Sequence, residues 1–269
     1  GLAHIGRTAR DWDVIDLRWV NRDQVDHRRT ATALELASLS AAEQSLESVA
    51  LVNFDRTWDE YWQARPRKWR ANVRRSRKQL ARRGELRVER YRPTGAAQGE
   101  DNPRWDLYDA CERVAAQSWQ ASSERGNTMS SASVSAFLRE AHTAAVKLGM
   151  VDLCLLYVDD EPVAFIYNYH CEGRLFGLRM GYNPAFEGAG SLLMHDVLED
   201  SFQRGDATFN LGAGYLEWKR PWLTTIVESY HYTHYAPRAL RAQALRLKRW
   251  LTAQLPAHRS VELSAKAPA

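Results

Sequence analysis

Apolar and polar residues alternate through DVIDLRWV (13–20), and SVALVNF (48–54) carries a β-branched apolar run. Both read as strands, on either side of a polar stretch, 24–37, with helical spacing. About 55 residues in that order leave an apolar sheet face uncovered, so this segment must pack on the remainder or be the remnant of a larger lobe. In DRTWDEYWQARP (55–66), Thr57 followed three positions later by Glu60 predicts a capping box, with Trp58, Tyr61 and Trp62 supplying bulk. Pro66 and Gly84 then bracket a predicted helix on which Trp69, Val73, Ser76 and Leu80 form one narrow stripe, with Gly84 as its C-terminal cap. A strand over 85–92, a Gly/Pro loop, a helix near 104–120, a Ser-rich loop (121–133) and a helix over 134–148 follow.

From Met150 the period changes. MVDLCLLYV, VAFIYNYH and LFGLRMGY are separated by the tight turns DDEP and CEGR, which predicts three strands of an antiparallel meander. A Gly-containing loop opens a helix near 191–204, followed by a strand (207–211), a second Gly loop, a short helix around 216–222 and a long strand, TIVESYHYTHY (225–235). Pro237 starts an amphipathic basic helix, and the chain ends in a polar tail. A single helix between LFGLRMGY and ATFNL makes those two strands parallel neighbours at the end of an otherwise antiparallel sheet. The fold class is therefore α/β of the α+β kind, a mixed, mainly antiparallel central sheet flanked by helices.

Composition narrows the class without naming a partner. The 269 residues are 45% hydrophobic, enough for a substantial core, and the net charge is only +4 because 33 acids offset 37 Lys and Arg. The ten cations in RPRKWRANVRRSRKQLARRG (65–84) are thus a local cluster. Cys111, Cys154 and Cys171 are widely spaced, with no CxxC pair, so they read as buried free thiols of a reducing compartment and not as disulfides or metal ligands. Apolar runs are too short to span a bilayer, and no charged segment followed by an apolar one marks a secretory signal. A cytoplasmic location follows, with a seat at the inner membrane surface as an alternative suggested by the basic helices.

Gly188, Ala189 and Gly190 stand directly before a helix, where free N–H groups and the positive dipole end suit a phosphate. A Rossmann site is excluded because the glycines follow a meander and not a first βα crossover. A diphosphate pocket beside the parting of two parallel strands suits coenzyme A. Four segments in this order, TWDEYW with RKWRANVRRSRKQL, EPVAFIYNYH, MGYNPAFEGAGSLLMHDVLEDSFQRG and FNLGAGYLEWKRPW, resemble the GNAT acyltransferase superfamily. More closely they resemble its branch related to Fem peptidyltransferases and found in bacterial polysaccharide-associated acyltransferases. The resemblance covers about residues 57–236. It implies a GNAT-like acyltransferase domain over 56–236, a partial GNAT-like lobe over 1–55, and a C-terminal basic helix and tail over 237–269.

The resemblance also implies roles. The backbone of Met180, Gly181 and Tyr182 would meet the thioester; Gly188, Ala189, Gly190, Ser191 and Leu192 would hold the diphosphate of acetyl-CoA or another acyl-CoA; no metal is implied. Lys219 would stabilise an oxyanion or bind phosphate, against the reading of a solvated surface lysine. Asn210 would bond pantetheine or substrate, or cap its own strand end. By period two, Tyr230, Tyr232 and His234 share one strand face, where a tyrosine could donate a proton or simply pack in a core, while His231 points the other way. Glu228 and His195 are candidate bases, each with a structural alternative. The implied activity is acyl transfer to an amine or hydroxyl of a small molecule or an envelope glycoconjugate precursor. Two alternatives stay open: a Fem-like transferase using aminoacyl-tRNA, and a non-enzymatic binding domain with a basic surface, which the acid at Glu187 favours.

Overall fold

The structure, a computed structural model, describes residues 1–123, 128–214 and 216–254; the predicted tail at 255–269 and part of the Ser-rich loop lie outside the described residues. The chain divides into residues 1–48 with 228 onward, and residues 49–227.

The smaller unit begins with α1 (Leu2–Arg7), β1 (Val14–Val20) and α2 (Arg29–Leu36), and enters β2 (Ala42–Asn53). The helix expected over 24–37 is shorter than its polar pattern suggested. A wide turn at Arg22–Asp26 comes first, and His27 and Arg28 then take φ of 48° and 62°, which breaks helical continuity. Asp26 restarts it, its carboxylate accepting from the Thr30 N–H (3.1 Å) and Oγ (2.6 Å).

The larger unit takes the end of β2 and continues through α3 (Trp58–Gln63), α4 (Arg67–Leu80), β3 (Leu86–Tyr91), α5 (Trp105–Gln117) and α6 (Ala132–Lys147). Then come β4 (Val151–Val158), β5 (Glu161–Cys171), β6 (Arg174–Tyr182), α7 (Ala189–Arg204), β7 (Thr208–Ala213) and α8 (Leu216–Lys219). The chain returns along β8 (Thr225–Tyr235) to the smaller unit and ends its described part in α9 (Leu240–Gln254). Within the larger unit the strands lie in the order β2, β7, β6, β5, β4, β3. All neighbours run antiparallel except β6 and β7, the parallel pair that the single intervening helix requires. In the smaller unit β8 lies beside β1, with Val14 opposite Tyr235, and Tyr232 packs with Leu34 and Leu39 over Ile15 and Leu17.

The capping box forms: Thr57 Oγ accepts from the Glu60 N–H and Glu60 Oε2 from the Thr57 N–H (2.9 Å). The Gly84 cap does not. Helix α4 ends at Leu80, and Gly84 instead makes room for the Asp159 side chain, whose Oδ1 accepts from the Glu85 N–H at 2.8 Å. A Cβ at position 84 would overlap that carboxylate, so the glycine answers a close approach and not a helix end.

Alternation along β4 and β5 sorts two cores. Cys154, Leu156 and Ile166 face α7 and α4 with Val73, Leu80, Leu192 and Val197; Leu153, Leu155 and Phe165 face α5 and α6 with Tyr108, Cys111 and Val146. Burying both faces explains why β4 is apolar at nearly every position. Of the three thiols read as buried, Cys111 and Cys154 are, while Cys171 is exposed at the end of β5 because it leads the turn into β6. Among the described residues, no helix is long and apolar enough to cross a membrane.

Candidate active site

Strand β6 keeps β5 as a partner from Arg174 to Tyr182, with a bulge that leaves Leu178 unopposed. On its other edge it pairs with β7 over Arg174–Phe176 alone, the last register being Phe176 opposite Asn210. From Gly177 onward the two strands part, β7 staying with β2. A parallel pair that separates exposes backbone N–H and C=O groups along one edge of β6, where an extended ligand can complete the ladder.

The chain leaving β6 turns into α7 through Gly188, whose φ of 82° places it in the left-handed region open to glycine. The Ala189 N–H donates to Phe186 O (3.1 Å) and the Leu192 N–H to Gly188 O (2.9 Å), whereas the Gly190 and Ser191 N–H groups meet no acceptor among the described residues. No side chain caps this end. Two absent Cβ atoms shape the approach: one on Gly188 would run into Ser76 Oγ of α4, and one on Gly190 would come within 3.0 Å of the Tyr182 ring. Between α4 and this helix start lies a hollow of about 140 Å³ lined by Trp69, Asn72, Arg75, Ser76, Glu187 and Ser191. The basic helix therefore flanks the glycine turn. Arg67, Lys68, Arg74, Lys78 and Arg82 project outward from α4 and its end without an acidic partner among the described residues, while Arg77 pairs with Asp196. The donor set fits a phosphate: two open amides, the positive end of a sixteen-residue helix and a neighbouring guanidinium, with the exposed Glu187 carboxylate as the one opposing charge.

Met180, Gly181 and Tyr182 lie on the stretch of β6 that has left β7 while keeping β5, together in the same unit with Gly188, Ala189, Gly190, Ser191, Leu192, Asn210 and Lys219. Not all are available for a ligand. Ala189 and Leu192 are buried in the core and their N–H groups are already bonded to Phe186 O and Gly188 O, so neither offers a donor to a phosphate. Asn210 Oδ1 accepts from the Gly212 N–H (2.8 Å), the strand-end turn weighed above. Lys219 is neither surface-solvated nor open: at 3% exposure its ammonium donates to the carbonyls of Gly212, Ala213 and Gly214 at 2.8, 3.0 and 2.8 Å. Three donors meeting three carbonyls brace the second Gly loop and leave no proton for an oxyanion.

Glu228, Tyr230 and Tyr232 belong to the smaller unit. Glu228 accepts from Ser45 Oγ (2.9 Å) and Ser48 Oγ (2.6 Å), and these hydroxyls hold its carboxyl below the ordinary range, the wrong direction for a base near neutrality. The Arg22 guanidinium stacks over the Tyr230 ring at 3.9 Å. Tyr232 is buried, and desolvation together with the Glu43 carboxylate pushes its phenol up to about 12. His195, on α7, packs edge-on against the stacked Trp58 and Trp62, at 5.0 and 4.7 Å. Its Nδ1 lies 2.8 Å from Asp196; Glu199 completes a cluster with ligand atoms within 4.8 Å, yet Asp196 is already engaged by Arg77.

Sequence reasoning missed Gln120. At 1% exposure its Nε2 donates to Met180 O (3.0 Å) and its Oε1 accepts from the Met129 N–H (3.0 Å), linking Met129 to the edge of β6. The signal was faint: Ser118 two positions earlier, whose Oγ accepts from the Gln120 N–H and starts a tight turn. It also missed the ion network at the far end of α7, where Asp152 is fully buried between Arg90 (2.6 Å) and Arg92, and Arg92 also binds Asp206 (2.8 Å).

Comparison with known proteins bears on the fold and the family. No curated protein matches the sequence. Among solved structures the fold is similar to FemX (TM-score 0.56, 11% identity, 87% of this chain and 74% of that one) and to L-PGS from Bacillus licheniformis (TM-score 0.53, 16% identity, 82% and 69%). It is also similar to a C-terminal domain from Agrobacterium fabrum described as that of a lysylphosphatidylglycerol synthetase (TM-score 0.53, 16% identity, 88% and 72%). The sequence model of the acetyltransferase (GNAT) domain matches residues 67–220, from the first residue of α4 past the lysine-braced Gly loop. With more than half the chain inside that match and the sheet parting after Phe176 as described, the protein belongs to the GNAT acetyltransferase family.

Proposed function

We propose that the protein transfers an acyl group from acyl-CoA to an amine or hydroxyl of a small molecule or glycoconjugate precursor. The observation that carries this reading is the conjunction, within one unit, of a β6 edge with no strand partner beyond Phe176 and two amides at the start of α7 that meet no acceptor among the described residues. The amides of Gly190 and Ser191 would hold the diphosphate, and Arg75 would add charge from α4. The thioester supplies the activated carbonyl. The backbone groups of the β6 edge after Gly177 other than the Met180 carbonyl, which Gln120 holds, would align the extended arm of the donor and bring the thioester carbonyl to a fixed place, so that positioning lowers most of the barrier. With Lys219 committed to carbonyls, oxyanion stabilisation falls to backbone N–H groups of β6.

Calorimetry with CoA and acetyl-CoA tests this. Wild type should bind both, and Gly190→Asp, which brings a carboxylate and a Cβ against Tyr182, should lose binding while keeping its far-ultraviolet dichroism. Absence of binding by folded wild type would sink the reading.

One observation favours a second donor, aminoacyl-tRNA: the row of unpartnered cations on α4 beside the same hollow. Bulk tRNA should then bind with an affinity falling steeply with salt, and an Arg74→Glu/Arg75→Glu pair should flatten that dependence. Under the acyl-CoA reading the salt slope stays shallow.

A further inference from the structure

On the face of β6 opposite α7, the structure holds a second cavity, of about 230 Å³, at the bulge. Leu178, the unopposed residue, forms one wall; Tyr167 and Tyr169 of β5, Tyr108 of α5, and Phe137 and Ala141 of α6 form others. The sides are separate: Met180 packs with the core around α7, Leu178 with the core around α5 and α6. The bulge thus turns one side chain of the parting strand away from the diphosphate hollow and into this cavity.

The Tyr167 hydroxyl on its wall is already paired, with His142 behind it. His142 Nε2 lies 2.6 Å from Pro103 O, and a carbonyl can only accept, so that nitrogen carries the proton. His142 Nδ1 is then the acceptor, and the Tyr167 hydroxyl donates to it at 2.8 Å. Burial holds the imidazole below its ordinary value and pushes the Tyr167 phenol up, so both stay neutral near pH 7. Arg179 also lines the space, and its Nη1 donates to Leu178 O at 2.6 Å. What remains facing the space is ring and aliphatic surface, and at the rim Phe137 is 68% exposed, large for an apolar residue on a helix. The volume falls just under the range of ~300–1,000 Å³ usual for small-molecule sites, the size of a fragment and not of a whole cofactor.

Building on the reading of the site given above, we infer that this cavity is a subsite for a neutral apolar group, a medium-length aliphatic chain or an aromatic ring, carried by one of the two reactants. A short acetyl group would leave the cavity unfilled. An octanoyl chain entering from β6, or the ring of an arylalkylamine acceptor, would bury its methylenes or ring against Tyr108, Tyr169 and Leu178.

Calorimetry on the full chain tests it in two arms. Octanoyl-CoA is compared with acetyl-CoA, and phenethylamine with methylamine. An advantage of about tenfold or more in either arm is expected from burying a few methylenes or a ring, and the arm that shows it identifies the reactant. Ala141→Phe, which fills the space, and Phe137→Ser, which strips the exposed rim and leaves the fold untouched, should each cut that ratio severalfold. Equal affinities within both pairs, with CoA itself still binding, would overturn the subsite alone. Failure of CoA to bind would remove the underlying function and this inference with it.

Discussion

The two ends of α7 treat polar groups in opposite ways. Near its C-terminus, the half-buried Arg90 and Arg92 enclose the buried Asp152 and Asp206, Arg90 also reaches Asp200 (2.7 Å) and Ser201 Oγ (3.0 Å), and the Cys154 thiol sits 3.5 Å from Asp152. At its N-terminus, two amides and a row of arginines and lysines are left without partners. Polar groups that the chain satisfies itself hold the fold; those left open at a shaped hollow are free to hold something else. Charge alone would have misdirected attention, since the fully buried ions are the ones with nothing left to bind.

If that contrast is right, the largest effect comes from breaking the closed end. Asp152→Ala removes the buried carboxylate that Arg90 and Arg92 share, leaving two positive charges with only Asp200 and Asp206 to offset them, and should lower stability by ~3–5 kcal/mol in urea titration. Acid probes the same site. Desolvation pushes the Asp152 carboxyl up, but Arg90 and Arg92 pull it further down, so it lies below its ordinary value. A depressed carboxyl contributes stability above the unfolded value of ~3.9 and loses it as pH falls through the folded one. The urea midpoint should therefore drop on acidification below about pH 4, and less steeply in Asp152→Asn.

Next in size stands Gly188→Ala, which combines a left-handed backbone with the overlap on Ser76 and should destabilise by ~1–3 kcal/mol while weakening CoA binding. Lys219→Met strips three carbonyls of their donor, for an expected ~1–3 kcal/mol in thermal or urea unfolding. Smallest is Arg74→Ala at the open end, expected within ~0.5 kcal/mol of wild type; a larger loss would mean the cationic face is structural after all.

Legibility followed the range of the forces involved. The meander, the parallel pair and the Thr57–Glu60 capping box depend on neighbours a few positions apart, and the periods of two and 3.6 carry them. The glycine turn was readable for the same reason, since left-handed φ at Gly188 is a local demand. Lys219 was readable as special but not as a brace, because its partners at Gly212 to Gly214 sit in a loop whose curl no period encodes. Gln120, the Arg90–Asp152 network and the cavity at Leu178 depend on residues tens of positions apart meeting across a sheet, and nothing in a single sequence announces such pairings.

The Gln120 side chain grips a strand carbonyl with one atom and the Met129 amide with another, so it works as a short mechanical linkage. A shift of the β6 backbone on donor binding would be felt, through that carboxamide, at the Met129 amide. The deuterium exchange rate of that one amide would then serve as a built-in gauge of strand occupancy, readable without knowing the acceptor.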